Sequence, residues 1–235
     1  DDEIERRAAA PALPRPAIVE SVPADMVWIP PCRFTMGPDE SSPDTSPAHE
    51  VELEGYWIDR HPVTVAQFAG FLNETSFDEH YVEAMANPDQ CGIVAAEGQA
   101  YEVVSGRENF PVVYVSYSAA LAWAAWHDRQ LPTEAQWERA ARGLTGRTYP
   151  WGEESPTPEH ASYDYHYGGT TQIGSFPAGV TDEGVWDLAG NVKEWCFDEY
   201  HPYPGGTPML DFDETAPDLD WIQEAALKRE LFCVR

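Results

Sequence analysis

Two stretches of the chain place their apolar residues at helical spacing. The first begins at Thr64 and runs to about Asn73, and the second begins at Ser118 and runs to about Asp128. The buried face of a helix takes residues three and four positions apart. That face holds Val65, Phe68, Phe71 and Leu72 in the first stretch, and Leu121, Ala124 and Ala125 in the second. The pattern therefore predicts two helices, each packed on one side.

A third helix is predicted from Leu131 to Gly143, where end signals accompany the apolar residues. Thr133 and Gln136 have the spacing of a capping box, in which each side chain binds the backbone amide of the other residue. Gly143 suits the left-handed conformation that ends many helices. Arg139 and Arg142 lie in the last turn, where the helix dipole favours positive charge. We expect a short, firmly capped helix.

The strands that the pattern predicts are short and fall mostly in the first third of the chain. Four runs of β-branched and aromatic residues predict them: Met26 to Ile29, Val51 to Leu53, Tyr56 to Ile58, and Val112 to Val115. The chain also holds 21 Pro and 17 Gly, which interrupt regular structure often. The sequence therefore predicts one α+β domain that is rich in loops, with its many aromatic residues filling the core.

We expect that domain to occupy residues 26–235 and an extended arm to occupy residues 1–25. The first seven residues are mostly charged, and prolines at 11, 14, 16 and 23 favour extended chain. The arm is interpreted as a linker or as a segment that docks on a partner, with a disordered leader as the alternative. The chain begins at Asp1, and a cleaved secretory signal would explain this and place the domain outside the cytoplasm, in the periplasm or secreted.

The charge of the chain narrows the classes of partner. Its formal net charge is −27 at pH 7, with Lys193 and Lys228 as the only lysines. A phosphate backbone would be repelled, so we expect no direct contact with nucleic acid. The sequence has no apolar run of the length that spans a membrane. An acidic surface favours solubility, cation binding or a basic protein partner.

One loop carries a pattern that is typical of a metal site. Asp187 and Glu194 bracket a Gly190-Asn191 turn that neither a regular helix nor a regular strand would choose. Two carboxylates and the backbone carbonyls of such a turn supply the oxygen ligands that calcium prefers. Because 41 of the 235 residues are acidic, the spacing alone is weak support for a calcium site.

A series of ordered motifs resembles the sulfatase-modifying-factor family, whose founding member is the formylglycine-generating enzyme. The motifs are Met26 to Pro30, Phe34 to Gly37, Pro47 to Val51, Tyr56 to Thr64, Phe110 to Ser116, Leu131 to Gly143, Tyr149 to Gly152, and Gly190 to Trp195. The resemblance extends over most of the chain. It implies a single mixed domain that is poor in regular structure and related to the C-type lectins.

The resemblance also implies a set of calcium ligands. They are the Asp187 side chain, the Gly190 and Val192 carbonyl oxygens, and the Glu194 carboxylate. Such an ion would be structural and would hold a loop that lacks its own hydrogen-bond ladder. Family members have a second calcium site, which would lie near residues 161–164 here. Ser162 stands where an Asn is usual, so this second site is doubtful.

The four cysteines, at positions 32, 91, 196 and 233, match none of the family's catalytic positions. In the family the catalytic pair lies in the C-terminal part, after a strand resembling Arg-Gly-Gly-Ser-Trp. We expect that region to follow Arg235, so the segment with the catalytic cysteines is absent from this sequence. Each cysteine is then expected to be structural or free, and the three ways of forming two disulfides stay open.

Three functions follow from this reading. The preferred one is a non-catalytic, calcium-braced member of the family that acts as a binding or accessory subunit, with protein partners contacting residues 1–25 or the acidic segment 202–229. That segment could equally be a third cation site or an ordinary surface loop. The first alternative is a copper-dependent oxidase that forms formylglycine from a substrate cysteine. The second is a domain similar to the non-haem-iron sulfoxide synthases, although no iron-binding helical domain is visible.

Overall fold

The computed structural model describes residues 25–38, 45–75, 91–95, 100–198 and 203–204. Short strands and helices are mixed along this part of the chain, which confirms the predicted α+β class. Their order is β1 (Met26–Ile29), β2 (Cys32–Met36), β3 (His49–Leu53), β4 (Tyr56–Asp59), α1 (Val65–Glu74), β5 (Ile93–Ala95), β6 (Tyr101–Val103), α2 (Tyr117–Trp126) and α3 (Glu134–Arg142), followed by a 3-10 turn (Pro177–Gly179).

The strands of the described part form three antiparallel pairs. β1 pairs with β4, β2 with β3, and β5 with β6. The register places Val27 opposite Ile58 and Phe34 opposite Val51. A two-stranded sheet is marginally stable by itself. The three pairs therefore depend on the helices and loops that pack against them.

Helix α1 agrees closely with its prediction. Thr64 caps it by accepting a hydrogen bond from the Gln67 amide, and the Gln67 side chain accepts one from the Thr64 amide. All four residues of the predicted face are buried, together with Ala69. The helix ends where Thr75 turns to an extended conformation. Sequence periodicity was sufficient here because one side of the helix is apolar along its whole length.

Helix α2 agrees only in part. Ser116 caps the helix, and Asp128 takes a positive φ of 53°, so the helix ends before the predicted boundary. Ala124 is buried as predicted, but Leu121 is half-buried and Ala125 is exposed, so this part of the prediction was wrong. The face that packs inward is centred on Ala119 and Trp123 instead. The pattern did not distinguish the faces because the helix is apolar all round.

Helix α3 has the predicted caps. Thr133 and Gln136 form the capping box, and Gly143 follows the helix with a φ of +66°. Trp137 and the two alanines that follow it at 140 and 141 are buried. The arginines of the last turn have a further role that the sequence did not reveal. Arg139 pairs with Glu183 at 2.9 Å, so it also holds α3 to a later loop.

A buried carboxylate joins α3 to the end of β2. The Glu138 side chain is fully buried, and its Oε1 accepts hydrogen bonds from the Gly37 amide at 2.6 Å and from Arg142 at 2.7 Å. Arg147 extends this charged region by pairing with Asp182 and Glu183. Buried charges are retained only when they are paired and hydrogen-bonded. This group therefore specifies how helix, strand and loop meet.

The predicted strand from Val112 to Val115 is wrong. Val112 donates one backbone bond to Val63, and Pro111 forms an isolated bridge with Thr64. Tyr114 then adopts a φ of 61°, which breaks the extended run. Three strands were not predicted: β2, β5 and β6. Two of them are only three residues long, too short for alternation to be recognised.

Hydrophobic residues form two main clusters. One holds the buried faces of α1 and α2 with Ile93, and the other holds residues of β1, β4 and α3 with Val185 and Leu188. A smaller cluster contains Phe34, Met36 and Tyr203. In the described part, no helix is long and apolar enough to cross a membrane. The predictions for Cys233, for residues 1–24 and for nearly all of residues 202–229 lie outside the described residues.

Candidate metal centre

The loop that follows Trp186 turns through three left-handed residues. Asp187, Gly190 and Asn191 have φ values of 58°, 82° and 63°. Two features of Gly190 disfavour any larger residue there. An added Cβ would overlap the Ser162 carbonyl oxygen, and a residue with a side chain would have a strained backbone at this φ. The turn predicted between the two acidic residues is therefore present. It is closely packed against residues 161 and 162.

Hydrogen bonds of Asn191 hold the loop in place. Its amide donates to the Ser162 carbonyl at 2.8 Å, and its side chain exchanges two hydrogen bonds with the backbone of Thr171. The Gly190 carbonyl accepts from the Val192 amide at 2.8 Å. A carbonyl oxygen has two lone pairs, so this bond leaves Gly190 one acceptor position. The Asn191 side chain is already engaged and fixes the loop.

Asp187 is a buried carboxylate at the start of the turn. Its Oδ2 accepts a hydrogen bond from the Gly174 amide at 3.0 Å. Burial raises the pKa of Asp187 above its usual range, while the Gly174 hydrogen bond and the nearby His61 lower it in part. His61 lies against Gly174 and the Trp186 ring. The sequence did not predict that Gly174 and His61 would lie beside Asp187.

Glu194 lies at the other end of the turn. Removal from water raises the pKa of Glu194 to about 7, and the negative charge of Asp187 adds to the rise. The indole N–H of Trp137 opposes the rise, although it makes no hydrogen bond of good geometry among the described residues. Lys, Arg and His form no ion pair with Asp187 or Glu194 in the described ranges.

The loop thus holds two carboxylates that repel each other, with Asp187 buried and Glu194 half-buried. A cation between them would relieve both the repulsion and the desolvation. Within residues that the structure describes, no group of three or more His, Cys, Asp or Glu side chains could hold a metal alone. A cation here would therefore need backbone carbonyls and water as further ligands. The same finding gives no support to an iron site built from three histidines.

The doubtful second calcium site has its polar groups occupied. The Ser162 hydroxyl donates to the Gly169 carbonyl, and the Ser162 carbonyl accepts from Asn191. Asp164 is exposed in a left-handed turn. These residues serve to join two loops.

The described cysteines are not brought together. Cys32, Cys91 and Cys196 form no disulfide with one another, and each packs in a different hydrophobic cluster. The Cys91 sulfur exchanges hydrogen bonds with the backbone of Ile93. These three residues therefore have the structural environments that the sequence predicted for them.

A groove borders the metal-like loop. It has a volume of about 1840 Å³, and Glu194 and Trp195 lie in its lining. Trp195 is held in place by a hydrogen bond from its indole to the Val115 carbonyl at 2.9 Å. Exposed tyrosines at 114, 165 and 167 also line the groove. Tyr165 and Tyr167 are close in the sequence, but only the structure shows that they line this groove.

Known proteins are similar to this chain over most of its length. A profile of the sulfatase-modifying factor enzyme 1-like domain matches residues 11–228. The formylglycine-generating enzyme of Streptomyces coelicolor is 35% identical over 86% of this chain and 78% of its own length. The serine/threonine-protein kinase Pkn1 of Chlamydia trachomatis is 35% identical over 84% of this chain, which spans only 30% of that kinase.

Solved structures support the same assignment. The structure of PvdO from Pseudomonas aeruginosa superposes with a TM-score of 0.59 at 30% identity, over 78% of this chain and 74% of PvdO. The family profile covers the strands and helices described above and the metal-like loop. The chain belongs to the family of the sulfatase-modifying factor enzyme 1-like domain.

Proposed function

We propose that this chain is a non-catalytic, calcium-braced member of its family that acts as a binding or accessory subunit. The observation that carries the proposal is the pair of carboxylates, Asp187 and Glu194, held in one left-handed loop and in no ion pair among the described residues. Calcium satisfies such a pair because it binds oxygen ligands and tolerates irregular geometry.

The calcium ligands in this proposal are four protein groups with water. The Asp187 and Glu194 carboxylates supply the charge, and the Gly190 and Val192 carbonyls supply neutral oxygens. Asp187 accepts the Gly174 amide through Oδ2, and its Oδ1 would bind the ion. The loop forms no strand or helix, so the ion would replace the backbone ladder that it lacks. The ion would be structural.

Two observations support the accessory role: similar domains occur as parts of longer proteins, and the chain is strongly acidic. The likeness to Pkn1 covers only 30% of that kinase, which fits a module within larger proteins. A net charge of −27 favours a basic protein partner and repels nucleic acid. The proposed location of the protein is outside the cytoplasm. The proposed fold of its domain is related to that of the C-type lectins. Residues 1–25 and 202–229 are the candidate partner segments.

Calcium should raise the melting temperature of the chelator-treated protein. At a free concentration of about a hundred times the dissociation constant, the expected stabilisation is about 2.7 kcal/mol. For a chain of 235 residues this is a shift of roughly 5 to 10 °C. The measurement is thermal unfolding by circular dichroism with and without calcium, after chelation.

Glu194→Gln should remove most of the calcium-dependent shift, because it removes one of the two charges. The matched control is Glu102→Gln, which makes the same change at an exposed acid of β6, outside the loop, and should leave the shift intact. Equal shifts in both variants would rule out the site. Absence of any shift in the unmodified protein would rule out calcium bracing.

Calcium affinity should fall as the pH drops through 7. The folded protein holds the pKa of Glu194 at about 7, well above its usual value, so the proton competes with the ion in this range. We expect binding at pH 6 to be about tenfold weaker than at pH 8. Without calcium the sign is reversed, because the ionised carboxylate is disfavoured in the folded state and stability falls as pH rises through 7. Isothermal titration calorimetry at the two pH values measures the first effect, and pH-independent affinity would contradict it.

The copper-dependent oxidase remains a second candidate, favoured by the likeness to the Streptomyces formylglycine-generating enzyme. The test is incubation of the copper-loaded protein with a cysteine-containing peptide and dioxygen, followed by mass spectrometry for conversion to formylglycine. The proposal predicts no conversion above a copper-only control. Conversion would overturn the non-catalytic role while leaving the calcium prediction to be judged separately.

A further inference from the structure

Trp137 lies on the buried face of α3, in the same hydrophobic cluster as part of the metal-like loop. Its side chain is 7% exposed, and the cluster that contains it also holds Leu188 and Cys196. Leu188 directly follows Asp187 in the sequence. Cys196 comes two residues after Glu194. The indole ring and both ends of the loop therefore share one hydrophobic cluster.

The segment that follows Glu194 is tied to the start of α3. The Phe197 amide donates a hydrogen bond to the Pro132 carbonyl at 2.8 Å. The Asp198 carboxylate accepts one from the Glu134 amide at 2.6 Å. These two hydrogen bonds hold the chain just beyond Glu194 against the beginning of the helix that carries the indole.

Contacts of the residues next to Trp137 hold the helix in place. Glu138 is fully buried and accepts a hydrogen bond from the Gly37 amide at 2.6 Å. Arg139 pairs with Glu183 at 2.9 Å. A rotation or a shift of α3 would break both contacts. The direction of the indole is therefore fixed by the fold, without any bound ion.

The indole N–H of Trp137 is a buried donor without a hydrogen bond of good geometry among the described residues. Buried donors are rarely left unpaired, so such a group indicates a partner nearby. The Glu194 carboxylate is close enough for the indole to lower the pKa of Glu194 against the effect of burial. The indole of Trp195 is already used, since it donates to the Val115 carbonyl at 2.9 Å. Of these two indoles, Trp137 has its N–H available for Glu194.

A carboxylate can bind a cation and accept a hydrogen bond at the same time, because its two oxygens have about four lone-pair sites between them. Binding of calcium to Glu194 therefore leaves acceptor capacity for an N–H donor. Groups that donate to metal ligands in this way orient them, and their loss typically weakens metal binding by about 10- to 100-fold.

We propose that Trp137 is a positioning residue of the calcium site, with its indole N–H holding the Glu194 carboxylate in the orientation that binds the ion. The inference rests on the proposed calcium site and adds to it a residue from a distant helix. Trp137 acts on the ion only through Glu194. Calcium affinity should therefore depend on the indole N–H and not on the aromatic ring alone.

The first test measures the calcium dissociation constant of the full chain by isothermal titration calorimetry at pH 8, after chelation. Trp137→Phe keeps an aromatic ring and removes the N–H, so it should weaken calcium binding by about tenfold or more. The matched control is Trp123→Phe. It makes the same change at an indole that is also buried and unpaired among the described residues but lies in the cluster of α1 and α2. This control should bind calcium like the unmodified chain.

A second variant separates the N–H from the packing of the ring. Benzothienylalanine in place of Trp137 keeps the bicyclic shape and has sulfur where the indole has its N–H. It should weaken calcium binding as much as Trp137→Phe does, while the melting temperature of the calcium-free protein stays close to that of the unmodified chain.

The outcomes separate this inference from the calcium site on which it rests. Unchanged calcium affinity in the benzothienylalanine variant, or an equal loss of affinity in Trp123→Phe, would overturn the role of Trp137 and leave the calcium site standing. If the unmodified chain binds no calcium, the calcium site is wrong and the role of Trp137 fails with it.

Discussion

Replacing Glu138 with alanine should destabilise the protein by about 3 to 5 kcal/mol, the cost of removing one partner from a buried ion pair. The change leaves the Gly37 amide and Arg142 without the carboxylate that now binds both. Domains are stable by only about 5–15 kcal/mol, so the loss would be a large share of the total. Urea unfolding followed by tryptophan fluorescence gives the difference in the free energy of unfolding.

The matched control is Glu52→Ala. Glu52 also pairs with an arginine, Arg33 at 3.0 Å, but both side chains are mostly exposed. A surface ion pair is worth about 0–1 kcal/mol, so this variant should lose less than about 1 kcal/mol. Glu138→Gln should fall between the two alanine variants, because it keeps an acceptor and loses the charge. Similar losses for Glu138→Ala and Glu52→Ala would contradict the role of Glu138 as the buried link between α3 and β2.

Gly190→Ala should cost about 3 kcal/mol and should also abolish the calcium-dependent stabilisation. The residue has a φ of +82°, and the new Cβ would overlap the Ser162 carbonyl oxygen, so the backbone of the loop has to move. Movement there displaces the Gly190 carbonyl, one of the proposed ligands. Thermal unfolding with and without calcium measures both consequences.

Gly70→Ala is the control for this substitution. Gly70 lies inside α1, and a Cβ added there would meet nothing within 4 Å. Alanine is the better helix former, so this variant should gain up to about 1 kcal/mol and keep its response to calcium. If Gly190→Ala unfolds like Gly70→Ala, the close approach of the loop to Ser162 is not a constraint in solution.

Local signals predicted the helices best. For α1 and α3 the caps and the buried faces agree with the sequence, because capping boxes and one-sided periodicity depend on residues within a few positions. Helix α3 is shorter than predicted, since it begins at Glu134 and not at Leu131. The prediction failed at α2, where apolar residues surround the helix, and at residues 112–115, where the left-handed Tyr114 ends an apolar run. In both places contacts with distant residues decided the outcome.

For the metal-like loop, too, the sequence predicted the local conformation but not the contacts with distant residues. The turn between Asp187 and Glu194 follows from its own residues, since Gly190 and Asn191 are suited to left-handed conformations. Its environment does not: the Gly174 amide on Asp187 and the Trp137 indole near Glu194 come from distant parts of the chain. No spacing rule could supply them.

The sequence by itself determined the family, the α+β class, the caps of α1 and α3 and the acidic turn. Each of these depends on residues that are close together in the chain or on the order of the motifs. Only the tertiary structure decided that Glu138 is buried against Gly37, that the two loop carboxylates lie together without an ion pair in the described part, and that three tyrosines face one groove. These properties depend on burial and on contacts between residues far apart in the chain, and chain folding alone brings such residues together.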